Sequence, residues 1–137
     1  MQQGEHLDVT YHESPDIVEV VFKDKSEDAI DEYVDVVVRY ANQLRAQNKL
    51  DQSILIIMDI TQSGLFSIKY SVEKISEIIP QMHDMPDAYF AYITDKPDER
   101  FMIERLNYFE STRKQDIRKV FRSEERAAAM AWLTSNT

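Results

Sequence analysis

Two periods of hydrophobic and polar residues divide this chain. Near the N-terminus, short β-branched runs partly alternate apolar and polar positions, "LDVTYHE" (7–13) and "IVEVVFKD" (17–24), and "ESPD" between them supplies turn chemistry. They read as an antiparallel hairpin. From Ser26 the period lengthens: Ile30, Tyr33, Val34, Val37, Ala41 and Leu44 recur at helical spacing behind a serine suited to the N-cap. This predicts a helix to about Asn48. "ILIIMDI" (54–60) is apolar without alternating, as expected of a strand covered on both faces, so it is placed centrally in a sheet.

Helical and strand patterns then exchange to the end. "SIKYSVEKISEIIPQMHDM" (67–85) predicts a second helix with Val72, Ile75, Ile78, Ile79 and Met82 on one face and Pro80 kinking or ending it. "MPDAYFAYITD" (85–95) follows as a strand. "KPDERFMIERLNYFESTRK" (96–114) reads as a third helix, with Pro97 in its first turn and Met102, Leu106 and Phe109 on one face. "DIRKVF" (116–121) is a fifth strand. In the closing helix, "SEERAAAMAWLTSN" (123–136), Ser123 is the expected N-cap and Ala127, Met130, Ala131 and Trp132 the inward face. The order ββαβαβαβα predicts an α/β fold: a mainly parallel central sheet, an antiparallel hairpin at its N-terminal edge, and helices packed on the sheet.

Composition narrows the class. A chain of 137 residues, 43% hydrophobic, suits one domain over 1–137. No run approaches the roughly 18–20 apolar residues of a membrane span, and the N-terminus lacks the basic start and apolar centre of a secretory signal, so a soluble cytoplasmic protein is expected. The absence of cysteine removes disulfides, thiolate metal sites and cysteine nucleophiles. The net charge of −9 is uneven: residues 1–35 hold eleven acids against Lys23 and Lys25, while residues 36–137 hold 14 charges of each sign. Such an excess argues against nucleic acid as a partner, since phosphate contacts need Lys and Arg. Much of it has a structural reading. Glu27, Asp28, Asp31, Glu32 and Asp35 fall opposite the apolar stripe of the first helix and towards its N-terminal half, as the helix dipole favours.

Chemical motifs are few. Two glycines, Gly4 and Gly64, cannot build a glycine-rich phosphate cradle, and no GxGxxG, P-loop, HExxH or GxSxG pattern occurs. His6, His12 and His83 lack zinc-site spacing and read as structural or solvated. No cofactor is expected. In an open sheet, functional groups gather beyond the carboxyl ends of the strands, here "DITQSG", "TDKPD" and "FRSE". Asp59 ends the central strand as the phosphoryl-accepting acid of receiver domains does. The further acids and the lysine of that chemistry are not evident, so Asp59 is expected to close the "TQSG" turn by accepting backbone N–H bonds. A carboxylate pair of Asp59 and Asp95 has only its position in favour. Arg113, Lys114, Arg118, Lys119 and Arg122 form either a receiving surface for an acidic partner or a solvated edge. Tyr70, Tyr89, Phe90, Tyr92, Tyr108 and Phe109 line either an interface or the core.

The element order, the central strand ending before Ser63-Gly64-Leu65, and the close "VFRSEERAAAMAWL" together resemble the STAS-like, SpoIIAA-like superfamily. Phe121, Ala127, Met130-Ala131 and Trp132-Leu133 resemble the F-x-x-x-x-x-A-x-x-W-L ending of its bacterial single-domain members, with Trp-Leu two residues later than that spacing. The resemblance implies a non-enzymatic regulatory domain that binds a protein partner, in which a kinase-type partner phosphorylates a serine in a D-S-x-G-L signature. That signature is altered here: aligning Gly64-Leu65 puts Gln62 at the phosphorylated position and Thr61 at the aspartate, whereas spacing from the strand brings Ser67 there without a preceding aspartate. The standard phosphoserine switch is therefore not expected. The candidate partner-binding or phosphoacceptor residues are Asp59, Gln62, Ser63, Gly64, Ser67 and Tyr70. The alternative that the same resemblance implies is SEC14-like carriage of a small apolar ligand or lipid between sheet and helices; a homodimer would instead set the acidic first helix of one copy against the basic residues 113–122 of another.

Overall fold

Alternation at the N-terminus produces the hairpin it predicts, with one addition. The structure, a computed structural model, describes residues 2–13, 16–47, 49, 52–78, 87–105 and 116–136. A two-residue strand β1 (Gln2–Gln3) lies outside β2 (Leu7–His12), which runs antiparallel to β3 (Ile17–Phe22) with Leu7 opposite Phe22 and His12 opposite Ile17. Among the described residues the sheet thus has six strands where the pattern predicts five. Two glutamines carry no period of their own; their pairing with Val9 and Asp8 makes them a strand.

Helix α1 (Glu27–Ala46) starts where expected. The Ser26 hydroxyl accepts a hydrogen bond from the Ala29 N–H at 3.1 Å, and all six residues of the predicted stripe are buried. Strand β4 (Ile54–Asp59) is buried at every position, which is why its sequence does not alternate. Then come α2 (Ile68–Ile78), β5 (Ala88–Ile93), α3 (Pro97–Arg105), β6 (Asp116–Phe121), a 3-10 turn at Ser123–Glu125 and α4 (Arg126–Thr134). Among the described residues, no helix is long and apolar enough to cross a membrane.

Strands follow one another across the sheet in chain order, β1 to β6, and β3 to β6 are parallel. Successive right-handed crossovers in one direction place their helices on one face. Accordingly Ile30, Tyr33 and Leu44 of α1 and Ile103 of α3 share a core with Val18, Val20, Ile56, Met58 and Phe90. Helix α4 covers the other face, where Ala129 and Leu133 pack with Leu55, Ile57, Ala91, Ile93 and Phe121. Among the described residues the strand order never reverses, so no crevice of the kind that a reversal opens in doubly wound folds is found there.

Two helical faces differ from expectation. In α4, Ala127 and Ala131 are exposed; Arg126 turns to the sheet, and Ala129, Met130 and Leu133 share its face at helical spacing. Ser123 opens the 3-10 turn and does not cap α4. In α3, Met102 is 48% exposed because Glu99 and Ile103 are the inward residues; Leu106 and Phe109 lie outside the described residues. In α2, Val72 and Ile78 are half-buried, while Ile79, Pro80 and Met82 lie outside the described residues.

Candidate functional site

Asp59 ends β4 on the face that carries α4, and both its oxygens are engaged. Oδ1 accepts from the Thr61 N–H at 2.9 Å and the Thr61 hydroxyl at 2.6 Å, the turn-closing role expected of it. Oδ2 meets the Arg126 guanidinium, which also reaches Glu19 of β3, whose other oxygen contacts His12 at 2.9 Å. Arg126 therefore stitches α4 to two neighbouring strands. Asp95, beyond β5, accepts from the Ser123 N–H and hydroxyl at 3.0 and 2.9 Å, and these bonds hold its carboxyl below the usual range. Each acid serves its own structural bonds, so the structure does not join Asp59 and Asp95 into an acid/base pair.

The loop after Asp59 is fastened from beneath. Gly64 takes φ +78°, a conformation that L side chains rarely adopt, and its N–H donates to the Ile60 carbonyl at 2.9 Å. The next N–H, of Leu65, donates to Glu99 Oε2 at 2.8 Å, while Glu99 Oε1 accepts from the buried Thr94 hydroxyl at 2.6 Å. Phe66 is buried with its ring 5.2 Å from that of Phe22, a burial contributing about 2–3 kcal/mol. The Ser63 hydroxyl donates to the Gly64 carbonyl at 2.7 Å. Gln62 and Ser67 are exposed. Ser67 caps α2, its hydroxyl accepting from the Tyr70 N–H at 3.2 Å.

Tyr70 turns away from this loop. Its hydroxyl donates to Asp31 of α1 at 2.8 Å, and this bond, with burial adding to it, pushes the phenol up to about 12. It is a brace between two helices. Of the six predicted site residues, Gln62, Ser63, Gly64 and Ser67 thus form one surface, while Asp59 points to α4 and Tyr70 to α1. Among the described residues no three His, Asp or Glu side chains converge as a metal site would require.

Glu99 and Arg126, which organise the loop's surroundings, are not evident from sequence spacing. Glu99 carries only the signal of an acid in a helix's first turn. The basic residues 113–122 do not make one patch: Arg118 is 6% exposed with its guanidinium 5.2 Å from the Phe90 ring centre, Lys119 lies on the opposite face over Phe121 and Trp132, and Arg122 pairs with Glu124. Alternation along β6 divides them. Arg113 and Lys114 lie outside the described residues. The aromatic set divides in the same way, with Phe90 and Tyr92 in the helix-side core, Tyr89 against Trp132 at 5.8 Å, and Tyr108 and Phe109 outside the described residues.

No family model matches the chain, and neither does any curated protein. Among solved structures, an uncharacterised protein of the DUF3478 family from Shewanella loihica PV-4, described as having a SpoIIAA-like fold, is similar over 97% of this chain and 98% of its own, with a TM-score of 0.60 and 14% sequence identity. At that identity the likeness speaks for the fold alone. Its near-complete span of both chains, together with the parallel β3–β6 sheet and its antiparallel edge, establishes that this chain has a SpoIIAA-like α/β fold.

Proposed function

We propose that the chain is a non-enzymatic interaction domain of STAS type, and that it meets a protein partner through Thr61–Ser67 and the first turn of α2. The observation that carries this reading is the mode of support. Asp59, Glu99 and Phe66 hold the loop's backbone from below, while Gln62 and Ser67 are left exposed. A surface ordered before binding loses little entropy on docking, which favours recognition. The acids nearby that an enzyme would need are occupied in structural bonds. Ser67 does not sit in the serine signature, so the contact is proposed to act without the standard phosphoserine switch.

Quantitative affinity capture under native conditions tests this reading, comparing wild type with a Gln62→Ala/Ser67→Glu variant shown by circular dichroism to be folded. A partner held by wild type and lost by the variant is expected. Identical protein sets from both would contradict the assignment of the surface. The carrier alternative needs room between the sheet and its helices, and there Phe22, Tyr33 and Phe66 are packed ring to ring. Co-purified lipid in native mass spectra would favour it nonetheless.

A further inference from the structure

The opposite end of the sheet, at the start of β3, holds a cavity of about 570 Å³ between the β2–β3 hairpin and the C-terminal half of α1. That volume lies within the usual range of small-molecule sites. Its charged groups are segregated. Glu13 and Asp16 stand on the hairpin side, and Arg39 and Lys49 stand on the side of α1 and the chain leaving it. Among the described residues no ion pair joins any of these four to another, although all four border one cavity. His12, Gln43 and Gln47 add further polar groups to the lining, and two tyrosines border it as well. Tyr40 is buried, its hydroxyl donating to the Asp16 carbonyl at 3.2 Å, and this bond ties the hairpin to the helix. Tyr11, at 43% exposure, leaves ring surface open.

We propose that this cavity binds a small zwitterion of dipeptide size, with its carboxylate against Arg39 and Lys49, its ammonium against Glu13 and Asp16, and its side chain on Tyr11. A ligand with one charge would satisfy one wall and leave the like-charged groups of the other beside it. A zwitterion satisfies both walls. Charge-assisted hydrogen bonds at the two ends would fix its direction, and the tyrosine ring accommodates an apolar or aromatic side chain. The site lies at the far end of the strands from the 61–67 loop and is independent of the function proposed for that loop.

Titration of ¹⁵N-labelled protein with glycyl-phenylalanine, followed by NMR, tests the proposal. The controls are N-acetyl-glycyl-phenylalanine, which lacks the ammonium, and glycyl-phenylalaninamide, which lacks the carboxylate. Saturable shifts confined to residues 11–18 and 39–49 are expected for the zwitterion, with each blocked probe at least about tenfold weaker. The double variant Arg39→Gln/Lys49→Gln, at two exposed positions, should keep the fold and erase the difference between the free acid and the amide. Equal binding of the three probes, shifts located elsewhere, or no saturation up to about 10 mM would overturn the proposal.

Discussion

Asp59 is held from two sides, by the turn it closes and by Arg126, and the second bond has the larger energetic consequence. Removing the guanidinium in Arg126→Met leaves Asp59 and Glu19 close together on one sheet face without their shared cation. A fully buried pair broken in this way costs roughly 3–5 kcal/mol; because the Arg126 side chain is 38% exposed, about 2 kcal/mol is expected, read as a lower urea midpoint. Adding Asp59→Asn should recover part of that loss, and strict additivity would count against the pair. At Gly64 the cost is conformational. A Cβ there would meet Glu99 Oε2 at 3.5 Å, an ordinary contact, so Gly64→Ala should lose only the roughly 1–2 kcal/mol of a left-handed L-residue, again measured by urea unfolding.

His6 and Asp24 make a titratable link at the same scale. His6 Nδ1 lies 2.7 Å from Asp24 Oδ2, and Asp24 also accepts from the Ser26 N–H that precedes α1. The hydrogen bond to Asp24 raises His6 above 6.5, while bonds from Ser26 first and His6 second lower Asp24 from 3.8 to about 2. The histidine's contribution is therefore complete below 6.5 and is lost as pH rises through its raised folded value. The aspartate's is complete above 3.8 and is lost as pH falls towards about 2. An NMR titration of Asp24→Asn should show the His6 midpoint falling towards 6.5; an unchanged midpoint would show that the pair is not formed in solution.

At the scale of elements, α3 acts mainly through one inward carboxylate. Glu99 joins the 60–67 loop to Thr94 at the end of β5, so its two oxygens span two strand-end connections. Glu99→Ala should leave the Leu65 amide without its acceptor and raise its hydrogen exchange, while amides within β4 keep their protection. Unchanged exchange at Leu65 would mean that Phe66 alone orders the loop. The existence of these elements was legible in the sequence because period is a local property: the stripe of α1, the unbroken apolar run of β4 and the limits of β6 all follow from it. The face of α4 was not, because Arg126 finds its partners 67 and 107 residues away and turns the helix to meet them. Nor was β1, whose two glutamines become a strand only by pairing with β2.

For the molecule as a whole, the sequential strand order is the feature that most affects function. Local pattern predicts strands and helices but not which strands are neighbours. With no reversal of order among the described strands, no doubly wound crevice forms between them, and what stands at their ends is a surface. The position of the 60–67 loop was readable from the chain, since a buried strand ending at an acid, a polar turn and a glycine mark it. Its support was not, because Glu99 reaches Leu65 across 34 residues.

Hydrogen–deuterium exchange of the captured complex would locate the partner on the chain. New protection over residues 61–70, with the β2–β3 hairpin and the C-terminal half of α1 unchanged, is the expected result. Protection confined to the hairpin end, or absent from 61–70 while the partner is bound, would contradict the proposed contact surface.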